Sequence, residues 1–201
     1  MPRLRLAHLF LVSLVALAGC DANENDLFGE FLADVRVDAQ LEGEPDEDDA
    51  TAPRLRGEAV YTIIDTPNGP EFVLGLFVGD LFDSQYDEYN FIVFRRPGGV
   101  PGVGGYAVVP DPQASGVTAT YARVTEADEP LEAEGPVLRG EDGTLAITSV
   151  DGIGVITGTF GFDATGVFVQ DAGRFVDGDA NGRFEARYES PNLFFGRGLD
   201  L

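Results

Sequence analysis

The chain has 201 residues, of which 35 are acidic and 13 are arginine, with no lysine, for a formal charge of −22. Nucleic acid and anionic lipid surfaces repel such a polymer. Its one histidine, one methionine and one cysteine (His8, Met1 and Cys20) all fall in the first twenty residues, and tryptophan is absent. The remainder therefore excludes Ser-His-Asp and Cys-His nucleophiles, histidine or cysteine zinc sites, Schiff-base lysines, the phosphate-loop lysine and disulfides.

In chain order, the first element is a secretory signal. Arg3 and Arg5 precede an apolar run from Leu6 to Ala18, interrupted only by His8 and Ser13. That run is shorter than the ~20 apolar residues a membrane-spanning helix needs. It closes on Leu17-Ala18-Gly19-Cys20, which resembles a bacterial lipobox, where the thiol is acylated and the chain is cut before it. Residues 1–19 are then the signal peptide and Cys20 is the lipidation site. Two or three acyl chains make such an anchor effectively permanent, since each buried methylene adds about 0.8 kcal/mol. The mature chain keeps eleven arginines against 35 acidic residues, a charge of −24. Molar salt would relieve most of the self-repulsion this implies, which fits a salty habitat. A G+C-rich genome that favours arginine codons explains the composition as well.

Residues 20–27 read as a short acidic tether. Asp21 resembles an inner-membrane retention signal, whereas Glu24 and Asp26 resemble a surface-export signal; the outer membrane or cell surface is the favoured location. From residue 28 onward one all-β domain is expected. Phe31 to Leu41 alternates apolar and polar residues as a half-buried strand does. Glu42 to Pro53 is an acidic loop with two prolines. Further strands are expected over 55–64, 71–78, 89–94, 106–109, 117–125, 144–150, 153–162, 166–176 and 183–189, with turn residues between them. Phe72 to Val78 and Phe91 to Phe94 are apolar on both faces, as in strands covered on both sides. Asp151-Gly152 marks a hairpin. About ten strands and no helical periodicity predict a mainly antiparallel β-sandwich or a closed barrel.

Two segments carry candidate chemistry. Asp177-Gly178-Asp179-Ala180-Asn181-Gly182 matches the first half of a calcium loop, with oxygen ligands at positions 1, 3 and 5 and glycine at 6. Position 12 is Tyr188 where a bidentate glutamate belongs, so a simple hairpin turn is the competing reading. Asp177, Asp179 and Asn181, with Glu185 as a fourth, are the metal ligands this motif would supply. Phe82 to Asn90 sets Asp83, Asp87 and Glu88 among aromatic residues. That grouping allows carboxylate-dependent glycoside hydrolysis, against a solvated loop ahead of a buried strand. Gly98 to Gly105 lacks the lysine and following helix of a phosphate cradle and reads as a connection.

Gly143-Thr144-Leu145-Ala146-Ile147-Thr148, Gly158-Thr159-Phe160-Gly161-Phe162-Asp163-Ala164 and Gly173-Arg174-Phe175-Val176 form a series of short motifs. It resembles a family of small Gram-negative lipoproteins of unknown function, whose C-terminal halves carry Gly-x-Leu-x-Ile-Thr, Gly-Thr-Phe-x-Phe-x-Ala and Gly-x-Phe strands. The resemblance spans about Leu138 to Val176 and implies a lipid-anchored all-β domain with no assigned activity and no catalytic residues. The expected function is a non-catalytic binding or structural module of the cell envelope, with no cofactor. Its expected partners are the membrane, through the lipid, and an envelope protein or polysaccharide. The alternatives are a carboxylate-dependent glycoside hydrolase and a calcium-binding surface adhesion module.

Overall fold

The computed structural model describes residues 29–39, 54–78, 88–111, 115–125, 136–168 and 175–195. The signal, Cys20, the tether, the loop 42–53, Asp83 and Asp87 lie outside the described residues. Among the described residues there are nine strands: β1 (Gly29–Ala39), β2 (Arg54–Thr66), β3 (Gly69–Val78), β4 (Glu88–Pro97), β5 (Gly104–Ala107), β6 (Thr118–Thr125), β7 (Pro136–Val150), β8 (Val155–Phe168) and β9 (Phe175–Tyr188). A one-turn helix, α1 (Pro191–Phe195), follows.

Eight of the strands close into an antiparallel barrel. The order runs β7-β6-β4-β3-β2-β1-β9-β8, and β8 returns to β7 to shut the cylinder. Of the two expected architectures the closed barrel is the one present, with nine strands among the described residues against about ten expected. β5 is the extra strand, lying along the lower half of β7 beyond the reach of β6. Irregularities between Gly140 and Asp142 and between Ile147 and Ser149 bend β7, so that one long strand serves β6, β5 and β8.

The period-2 pattern explains the wall. Every second residue points inward, and the inward set is apolar: Phe72, Leu74 and Leu76 on β3, Ile92 and Phe94 on β4, Phe160 and Phe162 on β8. An eight-stranded barrel is just wide enough for side chains to fill. At its centre Phe94 meets Phe160 at 5.3 Å and Phe162 edge-on at 5.7 Å between ring centroids. One polar pair is admitted to this interior, where the buried Tyr121 hydroxyl donates to Asn90 Oδ1 at 2.7 Å.

β3 and β4 are covered on both sides, as their sequences require. Outside the barrel, Val60, Val73, Phe77 and Val93 form a second apolar cluster, capped by the fully buried Phe194 of α1. Phe194 meets Phe77 edge-on at 5.8 Å. Helical periodicity cannot reveal a helix this short, but Ser190-Pro191 ahead of Leu193-Phe194 carries a start signal. Ser190 supplies the carbonyl that Leu193 and Phe194 N–H groups bond at 3.0 Å, and proline suits the first helical position. Thr62 is fully buried in the same outer face of β2, and its hydroxyl has no hydrogen-bond partner. A Thr62→Val variant keeps the shape and removes the unpaired group, so it should stabilise the fold by about 1 kcal/mol, measurable as a raised midpoint of denaturant unfolding.

Two boundaries expected from the sequence are absent. The expected strands 153–162 and 166–176 belong to β8 and β9, each a continuous strand of 14 residues. The expected turn at Asp177 to Gly182 is the middle of β9, paired with β1 on one side and β8 on the other. Its glycines face inward against large side chains, where they relieve crowding and do not turn the chain: a Cβ at Gly182 would come within 2.8 Å of the Phe160 ring, and one at Gly178 within 2.8 Å of Leu138. β7 likewise begins at Pro136, ahead of the expected 144.

The connections sort by end. Those joining β1 to β2, β3 to β4, β6 to β7 and β8 to β9 all leave from one rim, called upper here. The β2–β3 and β7–β8 hairpins, the β4–β6 passage with β5, and the segment after β9 leave from the lower rim. Asp151 shapes the expected β7–β8 hairpin, its Oδ1 accepting from Ile153 N at 3.1 Å and Val155 N at 2.7 Å. Beneath that hairpin Tyr61 closes the lower end of the core against Phe72 and Tyr188. Burial first, then the charge of Asp151, then Tyr188, push the Tyr61 phenol above its ordinary value of 10.0. The unfolded chain therefore ionises this tyrosine first, and the resulting stability loss begins near pH 10 and continues until the native phenol titrates. Denaturation curves from pH 9 to 11 should show Tyr61→Phe losing stability less steeply than the unaltered chain.

Candidate functional site

The inward side chains of the barrel are apolar and buried, so the polar groups able to meet a ligand are concentrated on the outside. A groove of about 570 Å3 crosses the wall where β7, β8, β9, β1 and β2 lie side by side. Leu32 and the chain around Phe31, Gly158 and Phe184 line it, and charged side chains from three strands border it: Glu30 on β1, Arg56 on β2, Arg183 and Glu185 on β9.

Strand register dictates this grouping. Leu32 pairs with Arg183 and Phe31 with Phe184 across β1 and β9, while Thr157 pairs with Glu185 and Thr159 with Arg183 across β9 and β8. Arg56 reaches Glu30 at 3.2 Å. Both side chains are exposed, so this ion pair contributes little to stability and remains free to exchange partners. At the β7 side the irregularity after Ile147 brings Thr148 and Ser149 together over Thr157: Ser149 Oγ is 2.7 Å and Thr148 Oγ1 3.0 Å from Thr157 Oγ1. Hydroxyls, carboxylates and guanidinium groups thus share one shallow surface. Such a set offers donors and acceptors to a polar ligand, and pairs no nucleophile with a neighbouring base.

The residues singled out in the sequence are spread apart. Asp177, Asp179 and Asn181 face outward at every second position of β9, above the groove, and of that group Glu185 alone lines it. Alternate strand residues stand about 7 Å apart, unlike the folded-back chain of a calcium loop, so the expected loop geometry is corrected to an extended strand. Among the described residues, no three or more acidic side chains gather closely enough to hold a metal ion. In the candidate hydrolase cluster, Tyr89 and Asn90 are built into β4 and buried. Gly98 to Gly105 forms the passage into β5, as its composition suggests, and the Tyr106 hydroxyl donates back to Gly102 O at 2.8 Å.

No protein family, curated protein or solved structure matches this chain. Among the described residues, no helix is long and apolar enough to cross a membrane. The wall itself has the polarity opposite to that of a bilayer-spanning barrel, which carries apolar residues outside and polar ones within. Here the outer faces of β8 and β9 present Asp163, Asp177, Asp179, Arg183 and Glu185 to solvent, and the apolar set fills the interior.

Proposed function

We propose that the protein is a lipid-anchored, non-catalytic module of the cell envelope, which binds an envelope protein or polysaccharide through its outer wall. The observation that carries this reading is the Leu17-Ala18-Gly19-Cys20 ending of an arginine-led apolar segment, joined to a barrel whose inward side chains are apolar and buried. The residue types that survive cleavage exclude histidine, lysine and free-thiol chemistry, and the groove between β8, β9 and β1 offers the mixture of hydroxyl, carboxylate and guanidinium groups that hydrogen-bonds a polyhydroxylated chain. The resemblance of the 143–176 region to small Gram-negative lipoproteins agrees with anchoring. The acidic surface disfavours nucleic acid.

The test is chemical. Mass spectrometry of the protein purified from its own cells should show a chain starting at Cys20 with a diacylglyceryl thioether. Cys20→Ala should move the protein from the membrane fraction to the soluble or unprocessed pool. An intact leader or a bare thiol overturns the reading.

A further inference from the structure

Seven large apolar side chains are exposed among the described residues, and five of them stand on elements of the lower rim. Val100 and Val103 stand on the β4–β5 connection, Val150 and Ile153 on the β7–β8 hairpin, and Tyr188 at the end of β9. Ile153 is 87% exposed, Val103 68% and Tyr188 53%. The elements that carry them are neighbours around the rim: Gly104, next to Val103, pairs with Ile147 near the foot of β7, and Tyr188 N–H bonds Gly154 O at 2.8 Å, joining the end of β9 to the hairpin. The hairpin offers its apolar tip without a competing free carboxylate, because Asp151 is engaged by two backbone N–H groups.

We infer that this lower rim rests on the phospholipid bilayer surface to which Cys20 is anchored. The inference depends on the anchoring reading given above and adds an orientation to it. Two independent observations select lipid as the occupant. First, the described chain begins at this end: Gly29 lies against Glu185 of β9, three residues from the lower end of that strand. The nine residues from Cys20 to Phe28 span at most about 30 Å when extended, so the anchor is tied nearer the lower rim than the upper one. Second, charge is distributed in the same sense. The connections at the upper rim (residues 40–53, 79–87, 126–135 and 169–174) contain 15 acidic side chains and one arginine. Those at the lower rim, taken with the segments before β1 and after β9 (20–28, 67–68, 98–117, 151–154 and 189–201), contain seven acidic side chains and one arginine. The end that would be repelled by anionic headgroups faces away, and the end with apolar tips and an amphipathic tyrosine faces the interface, where such side chains settle about 5–10 Å deep.

The natural absence of tryptophan makes the test clean. Single reporters are introduced as Ile153→Trp at the lower rim and Phe175→Trp at the upper rim, both at exposed positions where the fold tolerates a large side chain. The processed, full-length mature protein is reconstituted in phosphatidylcholine vesicles containing lipids brominated near the headgroup. Ile153→Trp emission should shift to shorter wavelength and be quenched by the bromines, while Phe175→Trp emission should stay at the position expected in water and unquenched. If Cys20 carries its lipid but Ile153→Trp emission is unshifted and unquenched, the rim does not touch the bilayer and the inference is overturned. A shifted but unquenched signal assigns the rim to a second copy of the chain and overturns it equally. An unmodified Cys20 in the same sample overturns the anchoring reading instead, and removes the basis for this one.

Discussion

Replacing Phe94 with alanine should lower the free energy of unfolding by about 3–5 kcal/mol, the range found when a buried aromatic side chain is truncated. Phe94 is fully buried at mid-barrel, and its ring is in contact with both Phe160 and Phe162. Closure leaves little scope for collapse into the void, because each strand is hydrogen-bonded on both sides and its backbone cannot move inward alone. The loss therefore combines the transfer term of the removed ring with a cavity term and two edge-on aromatic contacts, each worth about 0.5–1.5 kcal/mol. Urea titration would show a lower midpoint with an unchanged slope. A loss below about 1 kcal/mol would mean that the interior is not packed as described.

Gly182→Val is expected to be at least as damaging, for the opposite reason. A Cβ at this position would collide with Leu32 O and lie 2.8 Å from the Phe160 ring and 2.9 Å from the Ala33 Cα. Only one of these neighbours is a side chain, and it belongs to the aromatic group around Phe94. Overpacking a well-filled core typically costs 1–3 kcal/mol and more where the backbone must yield; here the β1–β9 ladder itself has to shift. Gly152→Val in the β7–β8 hairpin is the matched control, since nothing lies within 4 Å of a Cβ there. Comparing the two variants separates crowding from the general effect of adding a β-branched residue. If the two melt together, the inward placement of Gly182 is wrong.

These glycines also explain where sequence reading succeeded and where it failed. β1, β2, β3, β4 and β6 were legible within a few residues, because alternation or a two-sided apolar run is a local signal. Phe72 to Val78 went further and announced its outer cover, later found as Phe194. β8 and β9 were broken at the wrong places because Asp, Asn and Gly ordinarily mark turns. In this barrel the same letters alternate, with Asp177, Asp179 and Asn181 outward in solvent and Gly178, Ala180 and Gly182 inward against Leu138 and Phe160. Small residues opposite large ones are a tertiary requirement, and the partner is not visible from within the strand. Closure was equally hidden, since it depends on β1 pairing with β9 across almost the whole chain. The groove drew one residue, Glu185, from the sequence-derived set. Its other charged members, Glu30, Arg56 and Arg183, become neighbours only through register and carry no motif.

The pairing of β1 with β9 sets a timetable for biogenesis. A polypeptide made and delivered from its amino end presents β1 first, yet one of the two ladders that satisfy β1 is supplied by the last strand to appear. Until residues 175–188 arrive, any partly assembled sheet has an open hydrogen-bonding border at each end, the kind of surface that recruits other unfolded chains. The cylinder that hides nearly all strand edges in the finished molecule therefore leaves them unprotected for the longest interval during its formation, and a holding factor or rapid completion of the chain would be needed to bridge that interval.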